Sequence, residues 1–265
     1  MRRLLAASVF ALISHGAFAQ DNPLTDSISW NDLRSEFVGD AVLQDGTTLF
    51  EVEAPHRAHD AATVPIGISQ ELGAVPIHSA MLIIDENPAP LAATLTFSEA
   101  MVPLDFELRV RVNQYSNVRV IAETDDGMFM AGRYVKASGG CSAPATRVPE
   151  EALASMGEMR LRSFNTTQQM SGQRREAQVM IRHPNYSGLQ RDQITQLFVG
   201  AHFIDMIEVY QGDEMLFKLE GGISVSENPV FRFGYRDNGA SVIRVRAHDT
   251  EGNVFEQMLA KDEGA

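Results

Sequence analysis

The sequence predicts an all-β protein made of two β-sandwiches in tandem, preceded by a short helix. Three observations lead to this prediction. Apolar and polar residues alternate with period two from about residue 80 onward, turn-forming residues separate the alternating runs, and a break rich in Gly, Ala, Ser and Pro divides the runs into two series. Alternation places every second side chain on a buried face, and many short strands between turns are typical of a sandwich.

The chain begins with a segment that is typical of a secretory signal peptide. Arg2 and Arg3 precede an apolar run, and Ala17-Phe18-Ala19 closes the segment with small residues. The run is too short to span a bilayer, although a membrane anchor is the alternative interpretation. We therefore expect residues 1–19 to be cleaved after about Ala19 and the mature chain to be exported to the periplasm.

A short amphipathic helix is predicted within "SWNDLRSEFVG" (29–39), because Trp30, Leu33 and Phe37 fall on one helical face. This spacing makes Trp30 a packing residue. The clearest strand follows at "LDFELRVRV" (104–112), where apolar residues alternate with the charged residues Asp105, Glu107, Arg109 and Arg111 on the opposite, solvent-facing side. Further strands of the first series are predicted at 80–84, 91–97, 117–123 and 128–136.

The second series begins after the break. Its strands are predicted at 159–164, 176–182, 204–210, 215–219, 230–235, 241–247 and 253–259, and "QGDE", "RDNGA" and "DTEGN" are hairpin-turn signals between them. The predicted organisation is therefore a signal peptide (1–19), a first sandwich (28–141), a flexible linker (142–158) and a second sandwich (159–262).

The composition restricts the classes of partner. The chain carries a formal net charge of −13. Nucleic-acid binding is excluded, because a phosphate backbone requires a basic surface. An acidic exported protein is suited to basic protein partners, whose opposite charge speeds the encounter. The alternative is that the charge only keeps the protein soluble.

Motifs for metals, cofactors and catalysis are sparse. His56, His59 and Asp60 cluster in "HRAHD", but this spacing on an undefined loop is a weak metal signal. The sequence contains no glycine-rich phosphate loop and no G-x-S-x-G nucleophile motif. We therefore predict neither a metal site nor an organic cofactor.

The only cysteine, Cys141, follows Gly139 and Gly140 and precedes the small residues of "SAPA". A single cysteine in an exported protein is either free or linked to another molecule. Glycines permit unusual backbone angles, so the segment favours an exposed thiol that reaches into another protein's active site. The alternative is a cysteine buried between the domains. No basic residue adjoins Cys141, so a pKa near 8.5 would leave about 3% thiolate at neutral pH, which favours a carrier thiol over a catalytic nucleophile.

Several segments resemble the subunits of the SoxYZ sulfur-oxidation carrier. "VPIGI" (64–68), "IIDENPAPLAATLTF" (83–97), the strand pair 109–123 and "VKASGGC" (135–141) resemble SoxY, whose chain ends in a Gly-Gly-Cys-Gly-Gly arm. "RHPNYSGL" (182–189), "ISVSENPVFRF" (223–233) and "VRAHDTEGNVF" (245–255) resemble SoxZ. The chain thus resembles fused SoxYZ-like carriers, some of which are associated with periplasmic quinoprotein dehydrogenases. It departs from SoxY at Ser142 and Ala143, which replace two glycines, and in continuing beyond the arm.

The resemblance implies two immunoglobulin-like sandwiches that pack as an intramolecular pseudo-heterodimer. It also implies that Cys141 carries sulfur intermediates covalently, that Gly139 and Gly140 make the arm flexible, and that partner enzymes rather than this chain perform the chemistry. His183 and Pro184 match a family motif, which we interpret as a turn and packing feature.

Two other functions stay open at this point. The chain could be a docking protein that presents an acidic face to a quinoprotein dehydrogenase or cytochrome, with the thiol secondary. It could also be a thiol enzyme that acts alone, which would require a histidine near Cys141.

Overall fold

The computed structural model describes residues 22–144, 149–164 and 174–261. It consists mainly of strands, which confirms the all-β prediction, and the predicted signal peptide lies outside the described residues. The helices are α1 (Ser29–Phe37), where the sequence predicted a helix, and α2 (Pro149–Ala154). The strands before α2 are β1 (Leu43–Asp45), β2 (Glu51–Glu53), β3 (Val64–Ser69), β4 (Ser79–Ile84), β5 (Leu91–Phe97), β6 (Asp105–Val110), β7 (Ser116–Thr124) and β8 (Gly127–Val135). The strands after α2 are β9 (Met159–Phe164), β10 (Arg174–Ile181), β11 (Ile204–Gln211), β12 (Glu214–Gly221), β13 (Val230–Arg236), β14 (Val242–Asp249) and β15 (Val254–Ala260).

These strands form two sheets, and each sheet contains strands from both halves of the chain. The larger sheet has the order β1-β8-β7-β4-β5-β12-β11-β14-β15, and the smaller has the order β2-β3-β6-β13-β10-β9. Alternating burial accounts for this layering: along β14 every second residue is buried, and the residues between them are partly exposed on the other face.

The halves meet strand to strand in both sheets. In the larger sheet β5 pairs antiparallel with β12, so that Phe97 lies opposite Phe217. In the smaller sheet β6 pairs antiparallel with β13, so that Leu108 lies opposite Phe231. The first half would otherwise end in open strand edges at β5 and β6, which expose unpaired backbone groups.

A cluster of aromatic rings fills the space between the sheets at this junction. The Phe106 ring lies edge-on to Phe97 (5.4 Å between centroids) and to Phe217 (5.0 Å). Phe217 contacts Phe233 at 5.1 Å in the same geometry. These rings belong to a single hydrophobic cluster that contains buried residues of both halves, so the core is shared across the junction.

Helix α1 covers the outer face of the larger sheet. Its Leu33 packs with Ile83 and Ile121, and Trp30 joins this cluster as the sequence predicted for a packing residue. The Arg119 guanidinium lies 4.1 Å from the centre of the Trp30 ring. No helix within the described ranges has the length and apolar character that crossing a membrane requires.

Candidate functional site

The segment after β8 returns to the junction between the halves. Gly139 adopts a left-handed φ of 78°, which glycine tolerates best, and a 3-10 turn follows at Gly140–Ser142. The Gly139 N–H donates to the carbonyl oxygen of Asn113 (2.8 Å), and the Gly140 N–H donates to that of Val112 (3.1 Å). These bonds fix the backbone that carries Cys141.

Gly140 is required for this close approach. A Cβ atom at this position would overlap the carbonyl oxygen of Ala61 and lie 2.7 Å from that of Val112. Both contacts are with backbone atoms, which cannot rotate away as a side chain would. The glycine that the sequence suggested for flexibility therefore permits tight packing in this conformation.

Residues of the second half hold the other side of the segment. The Ser187 hydroxyl donates to the carbonyl oxygen of Cys141, and the Gln190 amide donates to that of Ala143 at 2.8 Å. Cys141 has no solvent exposure and no disulfide partner. The sequence favoured an exposed thiol at Cys141, whereas the structure has it buried between the halves, the alternative considered above.

A buried arginine lies beside this segment. Arg111 is 1% exposed. Its Nη1 donates to the carbonyl oxygen of Gly140 and its Nη2 to that of Asn185, each at 3.2 Å, while its Nε has no hydrogen-bond partner. Burial lowers the pKa of Arg111, and the nearby Cys141, Glu227 and Asp60 oppose that effect.

The prediction that Arg111 faces solvent is therefore wrong. Strand β6 ends at Val110, and beyond it both Arg111 and Val112 are buried. The Arg111 N–H donates to the carbonyl oxygen of Ser224 (2.7 Å), so the second half covers the end of the alternating run. The side chain of Asn87 supports this exit from the strand, because its amide donates to the Arg111 carbonyl oxygen at 2.7 Å.

The surroundings of Cys141 determine its ionisation. Burial raises the pKa of the thiol to about 11, and the positive charge of Arg111 offsets only part of this increase. Cys141 is buried but does not belong to either hydrophobic cluster. In this conformation the thiol is protonated at neutral pH, so it is not a nucleophile.

A second buried polar cluster lies in the second half. His183 and His202 both point their Nε2 atoms at Asp249 Oδ2, at 3.3 Å and 2.7 Å. Burial would raise the pKa of Asp249, but bonds from Asn253 and the two histidines hold it below its ordinary value. The pKa of His183 is lowered by burial, so this ring is neutral.

The spacing of these three side chains would suit a metal ion, since their ligand atoms lie within 4.8 Å of one another. The hydrogen bonds argue against one. The Asn185 N–H donates to His183 Nδ1 at 3.1 Å, so the ring proton must be on Nε2, where it donates to Asp249. A protonated nitrogen has no lone pair for a metal. The cluster is therefore a hydrogen-bonded triad.

Asn185 connects the triad to the cysteine segment. It is fully buried and adopts a left-handed φ of 41°, which asparagine tolerates better than most residues. Its N–H binds His183 and its carbonyl oxygen accepts from Arg111. Within the described residues, no histidine is hydrogen-bonded to Cys141, so the arrangement a thiol enzyme would need is not observed there.

The "HRAHD" segment is irregular and leads into a turn at Ala61 and Ala62. The Asp60 carboxylate accepts hydrogen bonds from the Ala62 N–H (2.8 Å) and the Thr63 hydroxyl (3.0 Å). Of the described residues, only the His183 triad brings three potential ligands together, and it does not include His56 or His59.

Comparison with known proteins identifies the family. The family model of the sulfur oxidation protein SoxY matches residues 34–141, and that of the sulphur oxidation protein SoxZ matches residues 162–260. The chain is a fused SoxYZ-like protein. The SoxY match ends at Cys141 itself, the residue that the second half covers.

Solved structures add weaker likenesses. The sulfur carrier protein SoxY from Chlorobium limicola f thiosulfatophilum is 20% identical over 41% of this chain and 91% of its own, with a TM-score of 0.35. The BSP domain of a biofilm associated protein is 9% identical over 88% of this chain and 32% of its own, with a TM-score of 0.27. Scores below 0.5 are too low to support a conclusion. No curated protein matches the chain.

Sequence reasoning missed the residues that enclose Cys141. Arg111 lay in a regular alternating run, and Asn185, Ser187 and Gln190 carried no signal of proximity to residue 141. The "RHPNYSGL" match pointed to this loop, but only the fold places it against the cysteine.

Proposed function

We propose that this SoxYZ-like protein is a non-enzymatic periplasmic carrier that binds sulfur intermediates covalently on Cys141 and presents them to partner enzymes. The observation that carries this proposal is the position of Cys141. It is the sole cysteine, it ends the SoxY match, and it lies on a segment held by both halves. The site belongs to a sulfur-oxidation carrier family, which supports sulfur as the cargo.

The conformation described above is the closed state of the carrier. A buried, protonated thiol cannot exchange sulfur with another protein, so transfer requires the segment to leave the junction. The bonds that would break are few. On one side they are those of the Gly139 and Gly140 N–H groups and that from Arg111 to the Gly140 carbonyl oxygen, and on the other those from Ser187 and Gln190. Once in water, the thiol regains an ordinary pKa near 8.5.

The attachment of the segment at both ends limits how far the thiol travels. Val135 ends β8, and the six residues from there to Cys141 span at most roughly 20 Å when extended. This distance suffices for the thiol to enter the active-site cleft of an enzyme docked at the junction. The carrier thus needs partners that bind close to the junction itself.

Loading by exchange requires no oxidant. The Cys141 thiolate attacks the terminal sulfur of a partner's persulfide, a new S–S bond forms on Cys141, and the partner's S–S bond breaks. The partner sulfur leaves as a thiolate and takes up a proton. The partner class is therefore a periplasmic sulfur-oxidising enzyme or cytochrome that presents an activated sulfur, derived from compounds such as thiosulfate.

We further propose that the two halves function as an intramolecular pseudo-heterodimer and that the protein reaches the periplasm by its signal peptide. The pairing of β5 with β12 and of β6 with β13 supports the first proposal. The sequence of residues 1–19 supports the second.

A docking protein for a quinoprotein dehydrogenase or cytochrome is the second candidate function. The net charge of −13 and the complete burial of Cys141 favour it, since a docking protein needs charge complementarity but no accessible thiol.

Replacement of Cys141 by serine in the source organism separates the two candidates. A carrier predicts that Cys141→Ser reduces sulfur-compound oxidation by the cells as far as complete deletion does. Unchanged oxidation with Cys141→Ser, combined with loss on deletion, would establish the docking function instead. Gly200→Ala is the matched control, because Gly200 is exposed and a Cβ there meets no atom within 4 Å.

A further inference from the structure

Arg111 is a buried cation whose side chain bonds only to neutral groups among the described residues. No carboxylate of the described residues forms an ion pair with it, although Glu227 and Asp60 attract it from a distance. Its two bonds go to neutral carbonyl oxygens, those of Gly140 and Asn185. A buried charge without a paired countercharge is strongly disfavoured, so its presence calls for an explanation.

The unsatisfied Nε of Arg111 gives a second indication. This atom is buried and lacks any hydrogen-bond acceptor within the described part of the chain. Guanidinium groups bind oxyanions through several donors at once, because their N–H groups lie in one plane. Arg111 therefore has the charge and a spare donor for an anion at this place.

A sulfur group carried on Cys141 would place an anion next to Arg111. The thiol and Arg111 influence each other's pKa: the arginine lowers that of the thiol, and a negative charge on Cys141 raises that of the arginine more than Glu227 or Asp60 does. A protonated thiol brings no charge, whereas a persulfide anion or a terminal sulfur oxyanion brings one. The cysteine also lies outside both hydrophobic clusters, so its surroundings are not those of an apolar core residue.

We propose that Arg111 binds the negative charge of the group carried on Cys141, so that the closed segment is more stable when it carries an anionic sulfur group than when it carries a neutral one. This inference rests on the proposed carrier function and adds to it a binding residue and a preference for anionic cargo. It also predicts that charge, rather than size alone, decides whether the loaded segment closes.

Two adducts of equal shape test the proposal. Tetrathionate converts Cys141 to Cys–S–S–SO₃⁻: the thiolate attacks a central sulfur, a new S–S bond forms, and thiosulfate leaves. A tert-butyl methanethiosulfonate gives Cys–S–S–C(CH₃)₃, with methanesulfinate as the leaving group. Both adducts end in a tetrahedral group, but only the first is charged. Loading in mild urea followed by refolding gives access to the buried thiol, and intact mass verifies each product.

Hydrogen exchange of the peptide that contains Gly139 and Gly140 is the measurement, because both amides are bonded only in the closed segment. We expect about tenfold stronger protection with the anionic adduct than with the neutral one, because a modest charge interaction shifts the equilibrium towards the closed segment by about that factor. In Arg111→Gln this ratio falls to about one. The matched control, Arg109→Gln, alters an exposed arginine two residues earlier, on β6, and keeps the tenfold ratio.

Equal protection of the two adducts in the wild-type chain overturns the proposal, and this comparison does not depend on whether Arg111→Gln folds. So does a segment that is fully open with either adduct, which would mean that loading expels it. Because the adducts are made chemically, the result is independent of whether the protein carries sulfur in cells. Failure of the carrier function and failure of this inference are thus distinguishable.

Discussion

At the scale of single residues, the state of the Cys141 thiol is set by two opposed effects. Burial disfavours the thiolate and Arg111 favours it, and burial is the larger effect. Reactive cysteines in other proteins combine partial solvent exposure with a positively charged environment. Cys141 has a positive charge nearby, that of Arg111, but no exposure. Reactivity in this protein is therefore a property of the open segment.

The first prediction concerns the reaction of Cys141 with alkylating reagents. Burial raises the pKa to about 11 from an ordinary value near 8.5, which lowers the thiolate fraction at pH 8 by roughly 200-fold. Folded protein should react with iodoacetamide at least about 100-fold more slowly than protein in guanidinium chloride. Equal rates in the two states would contradict the buried thiol.

The same pKa shift links stability to alkaline pH. Because the folded-state pKa is raised, the stabilising contribution of the protonated thiol is complete below about pH 8.5 and is lost as the pH rises towards 11. The free energy of unfolding should fall over this range, and the fall should be smaller in Cys141→Ala. Denaturant titrations at several pH values measure it; identical slopes in the two proteins would argue against the shift.

Gly140→Ala should open the segment. The added Cβ would overlap the Ala61 carbonyl oxygen, so the turn cannot keep its place against the first half. We expect alkylation of Cys141 in the folded protein to become at least about tenfold faster. A loss of roughly 1.4 kcal/mol in the free energy that favours the closed segment would increase the open population tenfold. Gly200→Ala should leave the rate unchanged, and an unchanged rate in Gly140→Ala would refute the closed geometry.

At the scale of secondary-structure elements, the sequence predicted the strands well and their surroundings poorly. Runs such as 91–97 and 128–136 became β5 and β8 because alternation is a local property. The short strands β1 and β2, of three residues each, leave too few positions for a period to show. Arg111 was misplaced because Ser224 and Asn185, which cover it, lie far along the chain.

The triad that joins the loops of the second half predicts a pH dependence of stability. Burial lowers the pKa of His183, so the unfolded chain takes up a proton near pH 6.5 that the folded chain does not. Stability from this group is complete above about pH 6.5 and declines as the pH falls below it. Denaturant titrations between pH 7 and 5 should show this decline.

Two variants test whether His183 causes this decline in the free energy of unfolding. His183→Gln should flatten the dependence of the free energy of unfolding on pH between pH 7 and 5, whatever its effect on absolute stability. His78→Gln should keep the slope, because His78 is partly exposed and pairs only with Asp125 at the surface. A wild-type slope in His183→Gln would mean that another group is responsible.

At the scale of the whole molecule, the shared core makes the two family matches one structural unit. Strand pairing continues across the junction in both sheets, and the aromatic cluster around Phe106 draws residues from both halves. A site formed between the halves therefore depends on the integrity of both.

Phe106→Ala tests this unity. Removing a buried phenylalanine costs about 3–5 kcal/mol, which should lower the Tm of a single calorimetric transition by roughly 6–20 °C. Phe198→Ala, at a phenylalanine that is 63% exposed, should shift it little. Two separate transitions, one of them unmoved by Phe106→Ala, would show that the halves unfold independently.

The central claim is that Cys141 carries sulfur, and intact mass spectrometry of the protein isolated from its native cells during sulfur oxidation tests it most directly. We predict a population heavier than the free thiol by a sulfane sulfur, sulfonate or thiosulfonate group, confined to the Cys141 peptide and removed by reductant. An entirely unmodified thiol under those conditions would contradict the carrier function and leave the docking function in its place.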